Sequence, residues 1–296
     1  MRVPLATVWN ALAGAEGGTA GAIVRDLRLP RALTAFATGG LLAVAGTMMQ
    51  VLLRNPLADP YVLGISGGAA VAALLALVSG VDARLIPCCA FGGALASMLI
   101  VFALARGEGR WTQTRLLLTG VIVAAGWGAV ITLLLALAPE THLRGMLFWL
   151  IGDLSAAAQY GLALLALCLA LLALLPFASD LNQLSRGDLV AAALGVNVHA
   201  LRWGIYVLAS VCTAVAVTAG GAIGFVGFVV PHALRLVLGN DQRVLLPGAA
   251  IAGGSFLVFA DTMSRSIAAP LQLPVGVITA LVGVPLFLAL LAKRAQ

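Results

Sequence analysis

Few side chains in this 296-residue chain could do covalent or metal chemistry. Its three histidines, His142, His199 and His232, fall in three separate segments and cannot be read as an axial pair for haem. The four cysteines, Cys88, Cys89, Cys168 and Cys212, each lie inside an apolar run without CxxC or Cys/His ligand spacing. They read as small buried hydrophobes, and no metal site is expected. No Ser/His, HExxH or paired-aspartate constellation points to an intramembrane enzyme. A phosphate-binding GxxxxGK[ST] loop needs a lysine, and the single lysine, Lys293, follows Leu291-Ala292 near the end of the chain. The sequence therefore carries no nucleotide-binding loop of this type. Asp153 and Asp261 sit near the ends of apolar runs, where interfacial solvation or a helix cap accounts for them more simply than a proton relay.

The elements that must position these residues are membrane-spanning. Hydrophobic residues make up 62% of the chain and charged residues only 9%, with a mean hydropathy of +1.09. Soluble domains carry about 25% charged residues, so this inventory cannot build a water-facing surface. At ~20 apolar residues per crossing, the apolar content suffices for roughly nine crossings. A soluble enzyme, a disordered chain and a singly anchored domain are excluded. The isoelectric point near 9.8 reflects scattered loop arginines rather than a dense basic patch, so no nucleic-acid partner is implied.

Nine apolar segments are marked by charged or Pro/Gly-rich borders: 32–53, 61–80, 85–105, 115–138, 159–178, 203–220, 222–238, 245–263 and 275–292. The expected fold is all-α, a polytopic transmembrane bundle treated as one permease domain over 1–296. The seventh segment opens with Gly220-Gly221-Ala222-Ile223-Gly224-Phe225-Val226-Gly227 and then meets Pro231. That composition predicts an extended entry followed by a half-helix, which is tolerated at membrane depth only inside protein or beside a cavity. Arg144 to Gly152 reads as a short interfacial helix with Trp149 as its anchor. The longest polar stretch, 180–202, reads as two short helices broken at Gly195. It is either a contact surface for another protein or a connector. Gly64 and Gly68, and Gly92, Gly93 and Ser97, have the small-residue spacing that lets helices approach closely in lipid.

Orientation follows from the arginines. With the C-terminus inside, Arg54, Arg106, Arg110, Arg115, Arg186, Arg202, Arg235, Arg243, Lys293 and Arg294 lie on the inner side, ten of the 17 basic residues. The positive-inside rule favours that arrangement. Nine spans then leave the N-terminus outside with Arg2, Arg25, Arg28 and Arg31, an unfavourable tail to translocate. Either a span precedes Met1 or those arginines face outward for a reason.

One set of motifs identifies a family. Arg54-Asn55-Pro56-Leu57-Ala58-Asp59-Pro60, running into Leu63-Gly64-Ile65-Ser66-Gly67-Gly68-Ala69, resembles the signature of FecCD-type (type II) ABC importers, the permeases of iron–siderophores, haem and cobalamin. Arg28-Leu29-Pro30-Arg31, Ala193-Leu194-Gly195-Val196, Gly224-Phe225-Val226-Gly227-Phe228-Val229-Val230-Pro231-His232, Leu245-Leu246-Pro247-Gly248, Ala260-Asp261 with Arg265, and Leu273-Pro274-Val275-Gly276-Val277-Ile278-Thr279-Ala280 follow in family order. The resemblance covers residues 21–292. Family members have ten helices, and Met1 to Gly14 resembles the periplasmic stretch after the first, so the expectation is a truncated or misassigned start or a nine-span variant.

The resemblance implies a homodimer of this subunit in the bacterial inner membrane, two ATPase subunits carrying ATP and Mg, and a periplasmic binding protein, with no cofactor on this chain. Residues 180–200 would be the cytoplasmic coupling loop, with Arg186, Gly187, Asp188, Leu194 and Gly195 contacting the ATPase. Residues 1–31 would be periplasmic. Arg28, Arg31 and Arg265 match positions that pair with acidic residues of the binding protein; lipid-headgroup anchoring is the alternative for Arg28. Asn55, Gln113 and Thr114 match the inner gate, although Gln113 departs from the small hydroxyl residue of that position. Met146, Leu147 and Trp149 match the pathway lining, with interface packing equally open. The alternative to an ATP-driven importer is an ion-gradient-driven secondary transporter or channel. Against it, no span has a well-placed acidic or basic residue at its centre, as proton or sodium coupling commonly requires.

Overall fold

The computed structural model describes residues 4–14, 18–106, 112–154, 160–269 and 271–294. Arg2 and Arg110 of the arginine count lie outside the described residues. The described residues are helical, without a strand: α1 (Leu5–Leu12), α2 (Thr19–Ala22), α3 (Leu29–Leu52), α4 (Ile65–Val78), α5 (Ile86–Arg106), α6 (Gln113–Leu137), α7 (Glu140–Ile151), α8 (Tyr160–Leu174), α9 (Ala178–Arg186), α10 (Asp188–Ala193), α11 (Val198–Gly220), α12 (Val226–Leu238), α13 (Gln242–Ser266) and α14 (Val275–Arg294). A π-helical stretch, Ile23–Arg28, joins α2 to α3, and a 3₁₀ turn, Pro60–Leu63, leads into α4. Each of the nine apolar segments holds a helix. Among the described residues six helices are long and apolar enough to cross a membrane, and Ile65–Val78, Val226–Leu238 and Val275–Ala289 are shorter apolar helices.

α3 is the mast of the bundle. Within the helix that runs from Thr19 to Leu52, 83% of the apolar stretch is buried, against 6% for α6. α3 packs on α13, α11, α12 and α8. In lipid, helix association gains nothing from excluding water and rests on close packing and interhelical hydrogen bonds. α3 supplies both. Its Gly39 lies against the Gly253 carbonyl, Gly40 against Leu167, and Gly46 against Gly227. Its one buried amide, Gln50, donates to the Phe228 carbonyl at 3.2 Å.

The contact of Gly46 with α12 depends on two residues at once. Pro231 stands inside α12 and has no N–H to bond the carbonyl four residues back, that of Gly227. The same carbonyl is the atom a side chain at Gly46 would strike. The expected extended entry to α12 is present: Gly221 to Phe225 is non-helical, and Phe225 takes φ +70. The Tyr61 hydroxyl fastens it, donating to the Ile223 carbonyl at 3.0 Å and accepting from the Ile223 N–H at 3.1 Å.

The small-residue spacing resolves into one contact. Gly68 of α4 and Gly93 of α5 face each other, with Ser97 and Ala72 on either side, whereas a side chain at Gly92 would meet nothing. Ser97 also donates to the Gly64 carbonyl at 2.8 Å and accepts from the Trp127 indole at 2.8 Å, tying α6 to α4 and α5. The polar stretch breaks elsewhere than expected. α9 ends at Gly187, whose φ is +128, and α10 then runs to Ala193, with Gly195 (φ +85) in the turn before α11. A left-handed φ favours glycine, and the sequence offered two glycines; the first separates the helices and the second ends the pair.

Candidate functional site

Two polar clusters form at opposite ends of α3, a helix that by its rise of ~1.5 Å per residue is about 36 Å long. At its N-terminal end, Arg31 lies across the Asp261 carboxylate of α13. Arg31 Nε donates to Oδ1 and Oδ2 at 3.0 and 3.2 Å, Nη2 to Oδ1 at 2.8 Å, and Nη1 reaches Gln272 Oε1 at 3.3 Å. Arg265, one turn on from Asp261, contributes Nη2 to Oδ2 at 3.0 Å. The Asp261 side chain is 1% exposed, that of Arg31 13% and that of Arg265 30%. Asp261 lies inside α13 and caps no helix; it is the buried acceptor that aligns two arginines and leaves the group with one net positive charge. Arg28, half-buried in the π-helical stretch, lies one turn before Arg31.

At the other end, just beyond α3, four side chains make a chain of contacts. The Arg54 guanidinium donates to Gln113 Oε1 through Nε at 3.2 Å and Nη2 at 2.7 Å. Gln113 Nε2 donates back to the Leu52 carbonyl at 2.8 Å. Arg54 Nη2 also stands 3.6 Å from Asp188 Oδ2, and Asp188 accepts from Arg202 Nη2 at 2.7 Å on both oxygens. Four elements meet there: the turn after α3, the first residue of α6, the first residue of α10, and α11. They border a groove of about 870 Å³ lined also by Thr112, Thr114, Leu189, Ala192 and His199.

Beside this groove α10 and the turn that follows it present an apolar surface. Leu189 is 87% exposed, Leu194 60% and Val190 43%, and Arg186 and Gly195 are exposed next to them. The underside of α9 is anchored by Asn182, whose side chain donates to Asp241 Oδ1 at 2.8 Å and accepts from the Gln242 N–H at 2.8 Å. Asp241 caps α13 through the Arg243 N–H at 3.0 Å. The Asn182 amide, with the Arg243 N–H adding to it, holds the Asp241 carboxyl below its ordinary range.

The sequence candidates thus separate into groups. Arg186, Gly187, Asp188, Leu194 and Gly195 share one end of the molecule with Gln113 and Thr114. Asn55 is adjacent, but its side-chain carbonyl accepts from the Leu57 N–H at 2.9 Å, closing the turn before α4. Arg31 and Arg265 are together, both engaged with Asp261. Met146 is fully buried, Leu147 is 46% exposed, and Trp149 packs on the core. The end of α7 is stitched in place: Ala222 N–H donates to the Trp149 carbonyl at 3.4 Å, and Val275 N–H to that of Gly152 at 3.1 Å. Arg54, Arg202, Asn182, Asp241 and Asp261 were not among the sequence candidates. The spacing of Asp261 and Arg265, one helical turn apart, was the available signal for one of them. No group of three or more His, Cys, Asp or Glu able to hold a metal occurs among the described residues.

Known proteins resemble this chain along nearly its whole length. The description of the FecCD transport family matches residues 1–293. The cobalamin import system permease protein BtuC of Halobacterium salinarum is 43% identical over 284 residues, covering 93% of this chain and 75% of its own length. The hemin transport system permease protein HmuU of Yersinia pestis is 42% identical over 287 residues, 92% of this chain and 83% of its own. The Fe(3+) dicitrate transport system permease protein FecD of Escherichia coli is 38% identical over 276 residues, 92% of this chain and 85% of its own. A solved structure, described as an inward-facing conformation of a metal-chelate type ABC transporter, superposes with a TM-score of 0.86 at 28% identity, over 98% of this chain and 96% of that one.

Proposed function

This chain belongs to the FecCD transport family, a family of multi-pass membrane permeases rather than enzymes, and on that premise we propose that it is the transmembrane subunit of a binding-protein-dependent importer in the bacterial inner membrane. Its cargo is a metal chelate or corrinoid: iron–siderophore, haem or cobalamin. Two copies of the chain enclose the pathway, two ATPase subunits supply the energy with ATP and Mg, and a periplasmic binding protein delivers the cargo.

The observation that carries this reading is the exposed apolar surface of α10 and the turn after it, with Leu189 87% exposed, standing beside the Arg54–Gln113–Asp188–Arg202 groove. An apolar patch rimmed by charge at the end of a membrane bundle suits a protein partner, and residues 180–200 then dock on the ATPase. At the opposite end, Asp261 holds Arg31 and Arg265 in a fixed register. A net positive group of this kind complements acidic residues of a binding protein and chiefly raises the on-rate. α6, almost unburied within the protomer, provides surface for the second copy and for the pathway.

The ion-gradient alternative requires a titratable group in the span interior. Among the described residues the buried acidic and basic side chains are Asp261, held by two arginines at one end of the bundle, and His232 of α12, whose ring centroid lies 5.9 Å from that of Phe287. The test is uptake into proteoliposomes holding this chain, its neighbouring ATPase and the binding protein, offered radiolabelled cobalamin, haemin and a ferric siderophore. ATP-dependent uptake of one cargo that vanishes without the binding protein is the expected result. Uptake driven by a proton or sodium gradient without ATP would refute the reading.

A further inference from the structure

We propose that Arg54 is a positioning residue that transmits the movement of α10 to the inner mouth, linking the Asp188 carboxylate to Gln113 at the start of α6. The inference rests on the reading of residues 180–200 as the ATPase contact and assigns a role to a side chain which that reading leaves unused.

Three observations carry it. First, Arg54 takes φ +47, one of two non-glycine residues with a positive φ among the described residues. A left-handed arginine is a strained backbone state that persists only where the surroundings impose it. Here the turn directs the guanidinium back over the end of α3, where Nε and Nη2 both reach Gln113 Oε1. Second, Gln113 is fixed at its other end by the Leu52 carbonyl, so a pull on Arg54 acts on the first residue of α6 and on the last turn of α3 together. Third, Asp188 is the first residue of α10 and is shared by Arg54 and Arg202. Gly187, which precedes it, takes φ +128 and lies beside Arg54, where a methyl would make an ordinary contact 3.6 Å from Nη1.

The geometry gives α10 two connections of different reach. Arg202 joins it to α11, which is its sequence neighbour. Arg54 joins it to the α3–α4 turn and to α6, which are remote in sequence. A displacement of α10 that keeps the Arg202 contact therefore opens or closes the 3.6 Å contact to Arg54, and the mouth-lining residues Gln113 and Thr114 follow. Arg54 Nη2 serves both Gln113 Oε1 and Asp188 Oδ2 while Nε holds the same Gln113 oxygen, a paired, planar approach that the single ammonium of a lysine does not offer.

The test compares Arg54→Gly, Arg54→Lys and Arg54→Gln. Glycine relieves the backbone and removes the guanidinium. The link predicts that Arg54→Gly is as stable as the parent protein, yet amides of residues 113–116 exchange with deuterium about ten-fold faster in the purified permease. In the full complex, ATP hydrolysis continues while cargo imported per ATP falls about ten-fold, with no rescue by lysine. Unchanged exchange at 113–116 in all three variants would overturn the link. So would an unchanged ratio of cargo to ATP in Arg54→Gly. The exchange readout needs neither ATPase nor cargo, so absence of ATP-driven uptake by the parent complex, with faster exchange in Arg54→Gly, would refute the importer reading and keep the link.

Discussion

Replacing Asp261 by asparagine isolates the electrostatics of the cluster at the N-terminal end of α3. Asp261→Asn preserves shape and one acceptor oxygen but removes the charge that Arg31 and Arg265 share. Breaking a buried ion pair from one side costs about 3–5 kcal/mol, because the remaining charge is left uncompensated. Arg31, 13% exposed, approaches that limit, and the retained carbonyl recovers about 1 kcal/mol. Arg265, 30% exposed, is largely solvated, and its loss belongs with surface pairs at about 0.2–1 kcal/mol. The expected cost of Asp261→Asn is therefore about 2–4 kcal/mol, read by reversible denaturation of the purified permease in mixed micelles. A double-mutant cycle with Arg31→Gln should give a coupling of about 2–3 kcal/mol, and one with Arg265→Gln about 0.5–1 kcal/mol. Raising NaCl should weaken the second coupling and spare the first. A cost of Asp261→Asn below about 0.5 kcal/mol, or equal couplings to both arginines, would refute the assignment of Asp261 as the buried centre of the group.

Other perturbations follow from the same contacts. Gly46→Ala sets a methyl into the Gly227 carbonyl and should abolish the monodisperse species in size-exclusion chromatography, whereas Gly92→Ala, with nothing nearby, should be tolerated and add about 0.5–1 kcal/mol of helix propensity. Asp241 is held below its ordinary pKa in the folded chain, so its contribution is complete above the ordinary aspartate range and is lost as pH falls through the folded value. Hydrogen exchange at α9 should therefore accelerate in acid, and Asp241→Ala should show the fast rate already at pH 7. Leu189→Asp should leave the permease folded, because that side chain is 87% exposed, and should lower co-purification of the ATPase at least ten-fold; unchanged co-purification would exclude α10 from the contact.

Much of the fold was legible because its cause is local. Apolar runs of about 20 residues can satisfy their backbone in lipid only as helices, so the nine segments follow from composition, and the Gly-rich entry and Pro231 announced the half-helix α12. The break at Gly187 was missed because Gly195 stands beside the family-like Ala193-Leu194 and looked equally able to take a left-handed turn. The polar clusters were harder to see for a different reason. Arg31 and Asp261 are 230 residues apart and Arg54 and Gln113 59, and no periodicity reports such pairings. Asp261 was read as a residue at a helix end when its i+4 partner Arg265 was already in the motif. Arg54 stood in the quoted signature, yet only the backbone angle shows that its side chain turns back toward α6.

The central position of α3 also sets a timetable for synthesis. Gln50 finds its acceptor on Phe228, 178 residues later. At about 5–20 residues per second the ribosome needs roughly 9–36 s to produce that partner. For most of this interval Gly39, Gly40 and Gly46 line a mast whose neighbours α11, α12 and α13 have not yet been made. A nascent chain stalled after α8 exposes a polar amide and a glycine-lined face to lipid and to any passing helix. Such an intermediate must be shielded by the insertion machinery or recognised for destruction, and codon usage between α8 and α12 becomes a determinant of yield.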